Sequence, residues 1–196
     1  MDKNLDFQFN SFYRSATEWS EKGRGLLTSA EIINTELLSI SIRNTQKIPD
    51  ELTTKFGGLI DSLQLLLGFA IENAIKGNII ASRPDFKDIS ELNQYKFNDL
   101  GGHGIVNMVK ANIEQISSSE IDLLDRLQES IIWAGRYNSP KYPINNKNIN
   151  SIHPEFSSND FKICSQLFEK IEKSTIKKWE KNETRYYSWK DSYLND

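Results

Sequence analysis

The sequence predicts an all-α fold, an elongated antiparallel bundle of four to five helices led by a long helical hairpin. Three observations carry this. Apolar residues recur at alternating steps of three and four along the first part of the chain, through Phe9, Phe12, Ala16, Trp19, Gly23, Leu26, Ala30, Ile33, Leu37 and Ile40. That is the spacing of a helical seam. A second seam of the same period runs through Leu52, Phe56, Leu59, Leu63, Leu66, Ala70 and Ala74. No stretch of any length alternates apolar and polar residues as a half-buried strand does.

The first seam keeps its phase across Gly23 and Gly25, although each mid-helix glycine costs ~1 kcal/mol relative to alanine. One long helix from about Asn10 to Ile42 is therefore expected, with a break at Gly23–Gly25 as the alternative. Arg43 to Asp50 is a polar connector in which Pro49 fits a helix start. The second helix ends near Ala81, because Pro84 disfavours helix at Arg83. A short loop between two long helices makes them antiparallel neighbours. Ser82 to Gly102 carries turn chemistry, and a shorter helix is expected after His103, using Ile105, Val106, Met108 and Val109. Ser117 and Glu120 stand in the S-x-x-E relation of a capping box. The helix they open uses Ile121, Leu124, Leu127, Ile131 and Ala134 and stops at Gly135. Arg136 to Phe156 is rich in proline and asparagine and is expected to be irregular. A last helix is expected from near Ser158, with Phe161, Cys164, Leu167, Phe168, Ile171 and Trp179 as its apolar residues, followed by an aromatic tail.

At 196 residues the chain suits one domain with a real core. A formal net charge of −3 gives no general electrostatic pull toward nucleic acid or anionic membrane. Cys164 is the single cysteine, so neither an internal disulfide nor a cysteine zinc site can form; its place in an apolar stripe points to the core. The opening MDKNLDFQFN has acids and amides where a secretory signal would be apolar, and Asp61, Gln64 and Glu72 interrupt the longest apolar run. These features predict a cytoplasmic protein with no membrane partner.

That longest run, Leu59 to Ile80, is apolar around nearly its whole circumference, the mark of a helix buried among others. A narrow line of Asp61, Gly68, Glu72 and Lys76 punctures it. Glu72 and Lys76 are four apart with the acid first, the favourable order for a helical pair. A charge pair on a core helix costs desolvation, so Glu72, Asn73 and Lys76 read either as a register-fixing pair or as the polar lining of a cleft or dimer face. Gly101-Gly102-His103-Gly104 crowds a predicted helix start, but no phosphate-loop or dinucleotide pattern is present; the local reading of His103 is a helix cap or a bond to a neighbouring helix. Arg136 and Tyr137 close a helix at Trp133-Ala134-Gly135. There Arg136 either answers the helix dipole or holds a phosphate or carboxylate. His103 and His153 are the two histidines, and without H-E-x-x-H or a cysteine partner they predict neither metal nor cofactor. No G-x-S-x-G elbow supports a serine hydrolase.

Three of these segments, in this order, resemble the HEPN superfamily, helical domains of prokaryotic toxins, defence systems and partners of nucleotidyltransferases. GFAIENAIKG (Gly68 to Gly77) is similar to its A-x-E-x-x-x-K-type second helix. GHGIVNMV (Gly102 to Val109) is similar to the His-led helix start of several branches, and IIWAGRY (Ile131 to Tyr137) to the helix that delivers the family's arginine. The resemblance implies that residues 1–196 form one HEPN-like helical domain. It also implies a candidate active site at Arg136. Catalytic members are metal-independent ribonucleases in which a histidine follows the arginine by about four to six residues. Here that window holds Lys141, Tyr142 and Pro143, so the imidazole needed for acid–base work on a ribose 2′-hydroxyl is missing.

The expected function is accordingly a non-catalytic binding module, in a bacterial defence or stress system, for a nucleotide, RNA or a protein partner. Its ligand-binding residues are Glu72, Asn73, Lys76, Arg136 and Tyr137, and pairing with a second copy is expected from the resemblance. A divergent endoribonuclease using Arg136 with His103 is the first alternative. A purely structural or regulatory helical protein is the second.

Overall fold

The first seam folds as one helix, α1 (Ala16–Arg43), unbroken through Gly23 and Gly25. The computed structural model describes residues 16–43, 50–82, 103–134, 157 and 159–182. Phe9, Phe12, the Pro49 helix start, the Gly135 stop and the aromatic tail lie outside them. Gly23 has a packing reason to interrupt a run of better helix formers. A Cβ there would meet the Ala70 carbonyl oxygen at 2.9 Å and the Phe168 ring at 3.0 Å, so the glycine lets α1 lie directly on its neighbour. Ala16, Ala30, Leu37 and Ile40 of the seam are buried, joined by Leu27.

The second seam forms α2 (Asp50–Ala81), ending where Pro84 predicts. It runs antiparallel to α1: Lys55 reaches Glu36 at the loop end of the pair, Gly23 packs at Ala70 and Ala74, and Gly77 packs at Ala16. From Leu63 to Ala81 most positions around α2 are buried, because the remaining helices cover the faces that α1 leaves open. The window Leu52–Ala81 has the length and hydropathy of a membrane-crossing helix, and half of it is buried inside this bundle.

Three shorter helices complete the bundle: α3 (Ile105–Asn112), α4 (Ser118–Glu129) and α5 (Asp160–Asn182). The capping box forms as expected. Ser117 Oγ accepts from the Glu120 N–H at 3.3 Å, and Glu120 Oε2 accepts from the Ser117 N–H at 2.7 Å. α4 passes into one π-helical turn, Ser130–Ala134, whose first hydroxyl donates to Gln64 Oε1 at 3.2 Å. α5 starts two residues later than expected, at Asp160, whose carboxylate accepts from the Ser157 N–H (3.0 Å) and from Arg126 of α4 (2.6 Å). It packs antiparallel to α4, with Arg126 at Asp160 and Lys170 at Glu120. Against α2 it runs in the same direction, with Cys164 at Leu67 and Thr175 at Asn78. The described residues contain five helices and no strand. Their common core unites Leu63, Leu67, Ile71 and Ile75 of α2 with Ile105, Leu124, Leu127, Leu167 and Phe168.

Two titrating groups sit in this frame. Burial pushes the Cys164 thiol far above its ordinary range, with the Asp160 charge adding to it, so this thiol is inert packing. Burial also acts to raise the Glu120 carboxyl, but the Lys170 ammonium and the Ser117 N–H and hydroxyl outweigh it and hold the group below its ordinary value. A carboxyl lowered by folding stabilises the protein above the unfolded-state value and stops doing so as pH falls through the folded-state value. The wild-type melting temperature is expected to drop between pH 5 and 3 by more than that of Glu120→Gln, as calorimetry across that range reads directly.

Candidate functional site

Glu72 is the centre of a small polar cluster. It lies on α2 with its side chain 6% exposed, and it uses both oxygens. Oε1 accepts from Lys76 Nζ one turn on, the i,i+4 pair that the sequence predicts. Oε2 meets His103 Nδ1 at 2.8 Å. A carboxylate paired with an ammonium offers only acceptors. His103 Nδ1 therefore carries a proton and donates it to Oε2, and Nε2 is the ring nitrogen that this bond leaves unused. The imidazole makes no other hydrogen bond within the described residues, and its side chain is 34% exposed.

His103 is delivered by the chain entering α3. Its carbonyl accepts from the Ile105 N–H at 2.9 Å. The helix cap is Gly104, with no side-chain capping bond, so of the two local roles expected for His103, the structure shows the bond to a neighbouring helix. The Phe69 ring, one turn before Asn73 on α2, meets the imidazole edge-on with centroids 6.4 Å apart and planes at 68°.

Trp19 of α1 is the member that sequence reasoning assigned only to the seam. Its ring lies over Lys76 Nζ, 5.4 Å from ring centre to nitrogen, a cation–π contact that shields the ammonium. Gly77 permits it: a Cβ there would stand 3.2 Å from Trp19 Cβ and 2.9 Å from the Ala16 carbonyl oxygen. A glycine immediately after Lys76 is the one sequence signal that could have drawn Trp19 into the site.

The other nominated residues fall differently. Asn73 donates to the Phe69 carbonyl of its own helix at 2.7 Å, a back-bond rather than a bond to Glu72, Lys76 or His103. Gly68, part of the polar line, packs at Leu127 and Ile131. Arg136 and Tyr137 lie outside the described residues. The Ser130–Gln64 bond anchors the π turn before them two turns ahead of Glu72 on α2, roughly 12 Å along the helix. The structure thus gathers Glu72 and Lys76 of α2 with His103 from the chain entering α3, adds Trp19 from α1 and sets Phe69 at the rim. Chemically the cluster offers a fixed imidazole, a shielded ammonium and aromatic faces around one buried carboxylate. No family model, curated protein or solved structure matches this chain.

Proposed function

We propose that this chain is an HEPN-like binding module for a nucleotide or RNA, with its ligand site at Glu72, Lys76, His103, Trp19 and Phe69. The single observation that carries this reading is the convergence on Glu72 of Lys76 and His103. A pair that only fixes register needs no imidazole. This one spends its second oxygen orienting a partly exposed ring that meets Phe69 edge-on, while Trp19 lies over the paired Lys76. Aromatic and imidazole faces take up unstacked bases, and nearby cations meet the phosphates. Arg136 and Tyr137 belong to the same proposal through the resemblance.

A second reading, a divergent metal-independent endoribonuclease, is favoured by the His103–Glu72 bond. On this reading His103, at the start of α3, takes the place of the imidazole missing after Arg136, and a ring oriented by a carboxylate is placed for acid–base work. One experiment separates the two: a labelled single-stranded RNA oligomer incubated with the full chain at low salt in EDTA, followed by both anisotropy and product length. Binding without cleavage is expected. His103→Ala should weaken binding by roughly tenfold or more, since a stacked base contributes ~1–3 kcal/mol. Cleavage by wild type that His103→Ala abolishes would establish the nuclease instead. Equal affinity together with an equal product pattern, or no products, for wild type and folded His103→Ala would remove the site from both readings.

A further inference from the structure

The second polar cluster of the fold lies at the other end of α3. Lys178 of α5 donates to Asn78 Oδ1 of α2 at 2.7 Å and to the carbonyl of Asn112, the last residue of α3, at 3.3 Å. Asn78 is fully buried and held in place, its amide nitrogen donating to Thr175 Oγ1 at 3.1 Å and to the Ile171 carbonyl at 3.4 Å. Both acceptors of Lys178 are neutral. Lys170, one face of α5 away, instead pairs with the Glu120 carboxylate at 2.6 Å. An ammonium taken from water without a counter-charge is costly, and burial pushes Lys178 below its ordinary value. What it gains in return is the negative end of a helix dipole and two hydrogen bonds.

The placement matters because α3 has only eight residues, too few to be stable alone. Its start is tied to α2 through His103 and Glu72, and its end is tied to α2 through Lys178 and Asn78. Glu72 and Asn78 are six residues apart, about 9 Å along α2, against about 12 Å for the whole of α3. The short helix is strapped at both ends to the same partner. Lys170 adds a tie just beyond, donating at 3.3 Å to the carbonyl of Gln115, where the backbone turns with a positive φ of 56°.

We propose that Lys178 is a positioning residue for His103: by fastening the end of α3 to Asn78 it sets the lie of the helix whose start presents the imidazole to Glu72. This rests on the His103–Glu72 pair being the working part of the site. Imidazole proton–nitrogen spectra of the 15N-labelled full chain test it without any ligand, with His103 and His153 as the two histidines distinguished by His153→Gln. Wild-type His103 is expected to show the proton on Nδ1. Lys178→Met keeps the aliphatic stem and removes both donors, and it should move the His103 pattern toward that of Glu72→Gln. Lys178→Arg, which keeps a cationic donor, should move it less. Leu124→Ala, a destabilising control at a fully buried position of α4, should leave it unchanged. An unaltered His103 pattern in folded Lys178→Met, or an equal change in the control, overturns the proposal. If Lys178→Met does not fold, Thr175→Val, which removes the hydroxyl that accepts from Asn78 and donates to the Ile171 carbonyl of its own helix, is read the same way. Failure of RNA to bind wild type would count against the proposed function and leave this spectrum, taken on free protein, to decide its own question.

Discussion

Glu72→Ala is expected to lower the stability of the folded chain by ~3–5 kcal/mol, the cost of breaking a buried ion pair by removing one partner. Lys76 then loses its carboxylate partner with its side chain only 16% exposed and the Trp19 ring 5.4 Å from its nitrogen. His103 loses the acceptor that fixes its ring. For a chain of this size each kcal/mol is worth ~2–4 °C in melting temperature, so calorimetry should register a drop of roughly 10 °C. Glu72→Gln combined with Lys76→Met should cost much less, because it removes both charges of the pair together. That contrast separates folding from function. The double variant should fold and still bind RNA poorly if the cluster is the site, and bind as wild type does if the pair only fixes helix register.

Phe168→Ala should cost ~3–5 kcal/mol, the range for truncating a large buried aromatic. Its ring is fully buried where α1, α2 and α5 meet, and it has two particular partners. Gly23 lies against it with no side chain able to relax into the vacated space. The Arg24 guanidinium sits 5.5 Å from the ring centre while pairing with Glu172 on the same helix as Phe168, so truncation also removes a cation–π contact. Urea unfolding should show a lower midpoint with an unchanged slope, the signature of lost stability without a changed denatured state. Because Phe168 makes no hydrogen bond or ring contact with Glu72, Lys76 or His103, RNA affinity of the folded fraction should not change.

The sequence made the helices legible and the polar contacts between them much less so. The two seams predicted α1 and α2 because a period near 3.6 is a property of one segment at a time. Ser117 and Glu120 were legible for the same reason, since a capping box is closed within four residues. The phase of the seam across Gly23 pointed to an unbroken helix, and the contact with Ala70 and Phe168 explains why glycine is there. Glu72 and Lys76 stood out as charges on a core helix. Trp19 did not, because its contact with Lys76 depends on how closely α1 and α2 approach at Gly77. Asn78 and Lys178 are a hundred residues apart and meet only because α5 lies parallel to α2, a direction that no local pattern encodes. Asn73, adjacent to Glu72 in sequence, turns to its own backbone instead, a choice set by neighbouring carbonyls rather than by residue type.

The central claim is that Glu72 and His103 form one coupled unit. The most direct measurement is the imidazole nitrogen spectrum of His103 at neutral pH in wild type and in Glu72→Gln. The structure predicts a hydrogen-bonded proton on Nδ1 in wild type, and a change of that pattern when the carboxylate is replaced by an amide. A His103 ring that carries its proton on Nε2 like a solvent-exposed imidazole, and does not respond to Glu72→Gln, would contradict it.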